Sequence, residues 1–280
     1  MRLVPWLRRR PLFDHFALAY GISWGGILIL LIAMGFELAA PLQPLNTGLI
    51  FLLMLLGPST SGLALTALLD GHAGLRRLWS SLIRWRVGVH WYAVALLTTP
   101  LLLMAILWPL SGFVDSAFAP RFQWALFAIG LVAGSFEEIG WTGFATLRLL
   151  ARQRLSMAGL GLGLVWALWH LLVGFRYNFS TMGIAWLLEF AVFWIATLTA
   201  YRLLMTWVYA NTKSLLLAVL MHASYPGWLF VLFPATSFEQ GLLWQAAFAA
   251  GLWVVVAVTL RRSAPRGSPA TKQVTQQTLE

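Results

Sequence analysis

Eight apolar runs divide this chain, and each approaches the roughly 20 residues a helix needs to cross a bilayer. They cover residues 16–36, 47–69, 89–110, 122–146, 157–175, 183–209, 214–234 and 241–260. In lipid every backbone polar group must be satisfied internally, so such runs fold as helices. The fold class is therefore all-α, a polytopic membrane helix bundle with about eight transmembrane helices. Composition agrees: 60% of residues are hydrophobic and 10% charged, against roughly 25% charged in a soluble domain.

The basic residues set the expected orientation. With the N-terminus in the cytoplasm and sides alternating, 17 of the 19 lysines and arginines fall in cytoplasmic segments, Arg202 and Lys213 among them. Only Arg121 and Arg176 fall on the opposite side. This positive-inside bias predicts a multi-pass protein with both termini cytoplasmic, as in a bacterial cell membrane. The net charge of +10 is then mostly topogenic. It suits anionic lipid headgroups, and with no soluble domain to carry a binding face it does not indicate nucleic acid. Zero cysteines exclude disulfides, thiolate metal sites and a cysteine nucleophile. The first run is too long for a cleavable signal core and is expected to be retained.

Residues 1–262 form one membrane-embedded domain, with its motif core at 122–235, and the polar segment 263–280 is expected to be a disordered cytoplasmic tail. Between runs two and three, Leu75, Leu78, Trp79, Leu82 and Ile83 follow helical spacing with arginines on the other face, predicting an amphipathic interfacial helix. Most of the 16 tryptophans suit headgroup depth, but Trp141, Trp166 and Trp169 flank polar residues. Gly130 and Gly134, and Gly159 and Gly163, have the spacing of close helix packing. The second pair is expected to bring Glu137 and Glu138 near His170. No strand precedes the glycine run 159–163, which excludes a dinucleotide fingerprint.

Against this background, Glu137, Glu138, His170, Glu189 and His222 stand out. An ionisable group at a helix centre costs at least about 2.5–3.5 kcal/mol on insertion scales, so it faces a partner or a wet cavity. Glu137 and Glu138 are consecutive and point about 100° apart, so only one aims squarely at a given partner. A buried glutamate can serve as general base for a water molecule. His170 and His222, from other runs, can donate to an oxyanion or bind a divalent metal such as zinc together with Glu138. At 1.5 Å per residue, Glu138 and His222 both lie roughly 15 Å from their basic flanks, near mid-membrane. His170 lies higher unless residues 155–159 form a loop. Glu189 is expected to be structural, pairing with a histidine or Arg176, and His15, His72 and His90 are expected at solvated interfaces.

The stretch 136–144, FEEIGWTGF, resembles the first motif of the CPBP family of CAAX-protease and bacteriocin-processing intramembrane proteases, a glutamate pair followed four positions later by arginine. WALWH at 166–170 is similar to the second motif, an aromatic residue four before a histidine. The segment 215–226, ending HASYP, is similar to the third, a histidine often followed four positions later by asparagine. The resemblance runs from about Gly57 to Phe233. It implies an eight-helix endopeptidase acting on a membrane protein or peptide, in which Glu137 activates water, Glu138 supports it, and His170 and His222 serve the oxyanion or a metal. Trp166 is the aromatic residue of the second motif. Thr142 stands where the motif has arginine and can bond Glu138 one turn away. Pro226 stands where it has asparagine, which frees the carbonyl of His222 and leaves Ser224 or Tyr225 as substitute donors. These departures motivate a second function, a non-catalytic membrane scaffold or bacteriocin-immunity-type protein. Proton or solute transport is a third, opposed by the lack of an inverted repeat.

Overall fold

A computed structural model describes residues 7–35, 43–124 and 127–263, apart from the side chains of 177 and 179–181. The segment expected to be a tail lies outside the described residues from 264 onward, while Ser263 ends the last helix. The described chain is a helical bundle. Seven of its helices are long and apolar enough to cross a membrane, and large apolar side chains such as Ile29, Leu101 and Trp108 point outward, as lipid contact requires.

The helices are α1 (Pro11–Ala33), α2 (Pro44–Leu82), α3 (Val89–Phe113), α4 (Phe127–Gly140), α5 (Leu155–Trp169), α6 (Leu171–Met182), α7 (Leu198–Thr212), α8 (Leu215–Leu232) and α9 (Phe238–Ser263). Helix α4 is followed without a break by a π-helix, Trp141–Thr146, and one more α-turn, Leu147–Leu150. The rod from 127 to 150 is roughly 36 Å long at 1.5 Å per residue; it occupies the place of the fourth run expected from the sequence and is not among the seven helices long and apolar enough to cross a membrane. A second π segment, Phe190–Thr197, leads into α7. Proline at the first turn starts α1 and α2, where its missing N–H is an orphan in any case.

The amphipathic segment after the second crossing is helical, as expected, but it continues α2 across a kink. Gly71 (φ 60°, ψ −155°) makes that bend, a conformation essentially open only to glycine. Leu75, Leu78 and Leu82 turn partly inward, while Arg76 and Arg77 are exposed.

The glycine pairs do permit close packing, with partners other than those expected. A Cβ at Gly134 would lie 2.7 Å from the backbone nitrogen of Ala223, and one at Gly130 would lie 2.5 Å from that of Gly227, so α4 packs directly on α8. Gly163 similarly faces the backbone of Thr199, and Gly159 that of Leu203, so α5 packs on α7. Gly140 meets the carbonyl of Pro58 in α2. The rod bearing the glutamates thus sits between α2 and α8. No loop occupies 155–159, since α5 begins at Leu155.

Candidate active site

Glu137 and Glu138 close the last α-helical turns of α4, and their side chains leave in different directions, as consecutive helical residues must. Both are buried. Their surroundings give them different chemistry.

Glu138 is saturated. Arg202 Nη1 donates to its Oε2 and Arg202 Nη2 to its Oε1, each at 2.8 Å. The Thr142 hydroxyl donates to Oε2 from one turn below. His222 Nδ1 lies 2.6 Å from Oε1. A carboxylate clamped bidentately by a guanidinium is an acceptor to the groups around it, so Nδ1 of His222 is the donor in this contact. Arg202 is itself wholly buried, with its guanidinium 4.1 Å above the Trp166 ring.

Glu137 is held on one side only. The indole N–H groups of Trp166 and Trp141 donate to its Oε2 at 2.9 and 3.2 Å. Its Oε1 faces His222 Nε2 at 4.0 Å, too far for a direct hydrogen bond and short enough for one water molecule to bond both.

His170 joins this group through Trp166. Helix α5 breaks at His170, whose backbone N–H bonds Ala167 O at 3.1 Å. That tightened turn leaves Trp166 O to accept from His170 Nδ1 at 2.9 Å. The imidazole stacks on Trp194, ring centroids 4.6 Å apart, so the second π segment forms its wall. π segments recur at functional sites, and the two found among the described residues both contribute side chains here.

Of the residues singled out in the sequence, Glu137, Trp166 and His170 form one hydrogen-bonded group and Glu138, Thr142 and His222 another, and the two meet where Arg202 lies over Trp166 and across the 4.0 Å gap between Glu137 and His222. Ser224 and Tyr225 lie elsewhere. The Ser224 hydroxyl donates to Leu96 O in α3, and Tyr225 packs against Tyr201 and Phe248. Pro226 continues α8 one turn beyond His222. Glu189 bonds Gln245 of α9. His15, expected at a solvated interface, is fully buried beside Trp141 and Phe144, with Nδ1 3.0 Å from the Ser61 hydroxyl. His72 and His90 are exposed.

Arg202 is the residue that sequence reasoning misplaced. Counted with the cytoplasmic flank, it lies at the centre of the network. The signal was its position, seven residues before the end of an apolar run at Tyr209. The indole donors of Trp141 and Trp166 were also not foreseen.

The donor set does not fit a bound divalent cation. Among the described residues no three His, Asp or Glu side chains are grouped as metal ligands. Both oxygens of Glu138 are taken by a guanidinium, which would repel a second cation.

Residues 119–228 match the family described as type II CAAX prenyl endopeptidase Rce1-like. This stretch contains all three motifs and every member of the network. A curated relative, CAAX prenyl protease 2 of Methanococcus maripaludis, is 30% identical over 112 residues, 38% of this chain and 40% of that protein. The chain therefore matches about two fifths of the length of that relative.

Proposed function

We propose, from the match of residues 119–228 to the type II CAAX prenyl endopeptidase Rce1-like family and the likeness to an archaeal CAAX prenyl protease, that this chain is an intramembrane endopeptidase that hydrolyses a peptide bond with water activated by Glu137. The observation that carries this reading is the asymmetry of the two glutamates. Glu138 spends both oxygens on Arg202, Thr142 and His222, whereas Glu137 has one oxygen fixed by two indoles and the other facing Nε2 of His222 at 4.0 Å.

In the proposed reaction, water sits between Glu137 Oε1 and His222 Nε2 and donates a hydrogen to each. This fixes its lone pair toward the substrate carbonyl. Glu137 takes the proton as the oxygen attacks the carbonyl carbon, then passes it to the departing amine nitrogen as the C–N bond breaks. Glu138 and Arg202 do not touch the reacting atoms; they position His222. Pro226 in the third motif supplies no side-chain donor, Ser224 and Tyr225 are turned away, and His170 spends its Nδ1–H on Trp166 O, so this reading assigns the oxyanion no side-chain donor.

The substrate class that follows is a membrane protein or lipid-anchored peptide. The test is cleavage by the purified full chain in liposomes of a quenched-fluorescent peptide panel that includes prenylated CAAX peptides. Glu137→Gln keeps an acceptor for both indoles and loses the base, so the rate should fall about 10²–10⁴-fold with unfolding unchanged. Wild-type rates in Glu137→Gln would refute the base assignment.

A scaffold on the same fold is the second reading, favoured by the missing donor at Pro226. Under it the wild-type chain cleaves nothing across the panel, and Glu137→Gln retains the cellular phenotype.

A further inference from the structure

The arginine-rich face of the bundle holds a second polar cluster, which takes no part in the network around Glu137. A cavity of about 260 Å³ lies among the helical segment after Gly71, the foot of the rod at 143–148, and the turn from α7 to α8. Four cations line it, Arg77, Arg84, Arg148 and Lys213, against one carboxylate, Asp70. That carboxylate is already engaged, since Asp70 Oδ2 accepts from Arg148 Nη2 at 2.7 Å and lies 3.5 Å from Arg77 Nη2. Among the described residues, Arg84 and Lys213 take part in no ion pair. The cavity therefore carries a net positive charge, which a bound anion would balance.

The walls are fixed. The Ser81 hydroxyl donates to Lys213 O at 2.9 Å and accepts from Leu215 N at 3.1 Å. The Ser214 hydroxyl donates to Arg84 O at 2.6 Å. These bonds tie the segment after the kink to the α7–α8 turn and set Arg84 and Lys213 side by side. Lys213 holds a left-handed backbone (φ 54°, ψ 23°), which disfavours a side chain beyond Cα and is normally given to glycine or asparagine. Such strain marks a place where the surrounding structure enforces a position.

The setting identifies the class of anion. Trp79, Ile83 and Trp85 are 62%, 52% and 61% exposed on the same segment, the mark of headgroup depth. Leu147 lines the cavity and is 41% exposed, an apolar way out for an acyl chain. The volume falls below the roughly 300–1,000 Å³ of sites that enclose a drug-sized ligand. It suits a headgroup with its tails left outside. Basic pockets between transmembrane helices bind anionic headgroups. We infer that this cavity is a binding site for the phosphate of an anionic phospholipid, held by Arg84 and Lys213 with Arg77 at the rim.

The test is lipid retention by the purified full chain. Protein is equilibrated with mixed micelles of phosphatidylcholine and phosphatidylglycerol at nine to one, and bound lipid is read by native mass spectrometry. Wild type should retain phosphatidylglycerol, and Arg84→Gln/Lys213→Asn should lower that retention at least tenfold, the asparagine suiting the left-handed position. Arg76→Gln/Arg86→Gln removes the same charge from exposed arginines outside the cavity and should retain the lipid as wild type does. Undiminished retention in Arg84→Gln/Lys213→Asn overturns the proposal, and so does an equal loss in both pairs, which would mean diffuse surface charge. Inorganic phosphate that binds in pure phosphatidylcholine and displaces the lipid at equal concentration overturns the lipid assignment. In case the double variant does not fold, a phosphatidylglycerol with a photoreactive headgroup is applied to wild type. Labelling of residues 77–84 and 209–213 supports the site, and labelling confined to other segments overturns it.

Discussion

Arg202 and Glu138 offer the sharpest test of how the interior network is held. Both are fully buried and joined by two bonds of 2.8 Å. Arg202→Met keeps most of the side-chain volume over Trp166 but leaves Glu138 without its cation. Removing one partner of a buried ion pair costs about 3–5 kcal/mol, because a charge remains buried and uncompensated. Glu138→Gln should cost a similar amount by leaving the guanidinium unmatched. In Arg202→Met/Glu138→Gln no orphan charge remains, and the amide can still bond Thr142 and His222. Its loss should be no greater than that of either single variant, instead of the roughly 6–10 kcal/mol obtained by adding them. The assay is reversible unfolding in mixed micelles, followed by far-ultraviolet circular dichroism so that the signal does not depend on Trp166 alone. A double variant whose loss equals the sum of the singles within about 0.5 kcal/mol would mean that the pair is not coupled, and the account of the network would be wrong.

Two further outcomes follow from the same geometry. Trp166→Phe keeps an aromatic ring beneath Arg202 but removes the N–H that Glu137 accepts at 2.9 Å. A hydrogen bond to a charged group contributes about 1.5–3 kcal/mol to stability, so unfolding should cost that much less, and kcat/KM should fall through kcat as Glu137 loses its fixed orientation; a change in KM alone would refute the positioning role. Gly134→Val places its Cβ against the backbone of Val219 and Ala223, which cannot yield. Helices α4 and α8 should part, with a loss of about 1–3 kcal/mol and of cleavage together, whereas Gly161→Val, with nothing within 4 Å of its Cβ, should leave both intact.

Much of this arrangement was legible in the sequence, for reasons that differ by residue. The crossings were legible because lipid leaves the backbone only one local solution, so apolar length alone marks a helix. Glu137, Glu138 and His222 were legible because an ionisable group in such a run demands a partner. Arg202 obeyed the same rule but was obscured by a second one: near a span's end, an arginine is normally counted as topogenic. Its removal from that count leaves the remaining bias in place. The partners of the glycine pairs were not legible, since spacing shows that a helix face is smooth and not which neighbour will use it. Of the substitutes for the third-motif asparagine, Ser224 fails on helical phase, since two residues beyond His222 it points about 200° around the helix and its hydroxyl bonds α3. Tyr225 lies within about 60° of His222, and packing of its ring on Tyr201 and Phe248 takes it away from the site.

The departure at Thr142 has a physical resolution that spacing alone could not supply. The motif's arginine would reach a glutamate from one helical turn away, whereas here threonine makes the local bond and the cation arrives from another crossing, α7. The change couples the glutamates to the α5–α7 contact, because Gly163 and Gly159 bring α5 against Thr199 and Leu203, the residues that flank Arg202. It also explains why the chemistry gathers where the helices are irregular. The π segment after Glu138 and the break at His170 leave carbonyls in need of donors, and these are found nearby or from afar. Thr146 donates to Trp141 O, and Trp24 of α1 donates to Trp169 O. A helix remote in sequence and bearing none of the motifs therefore holds the turn that aims His170, so damage to α1 at Trp24 should reach the site through the backbone of α5 and not through any group that contacts substrate.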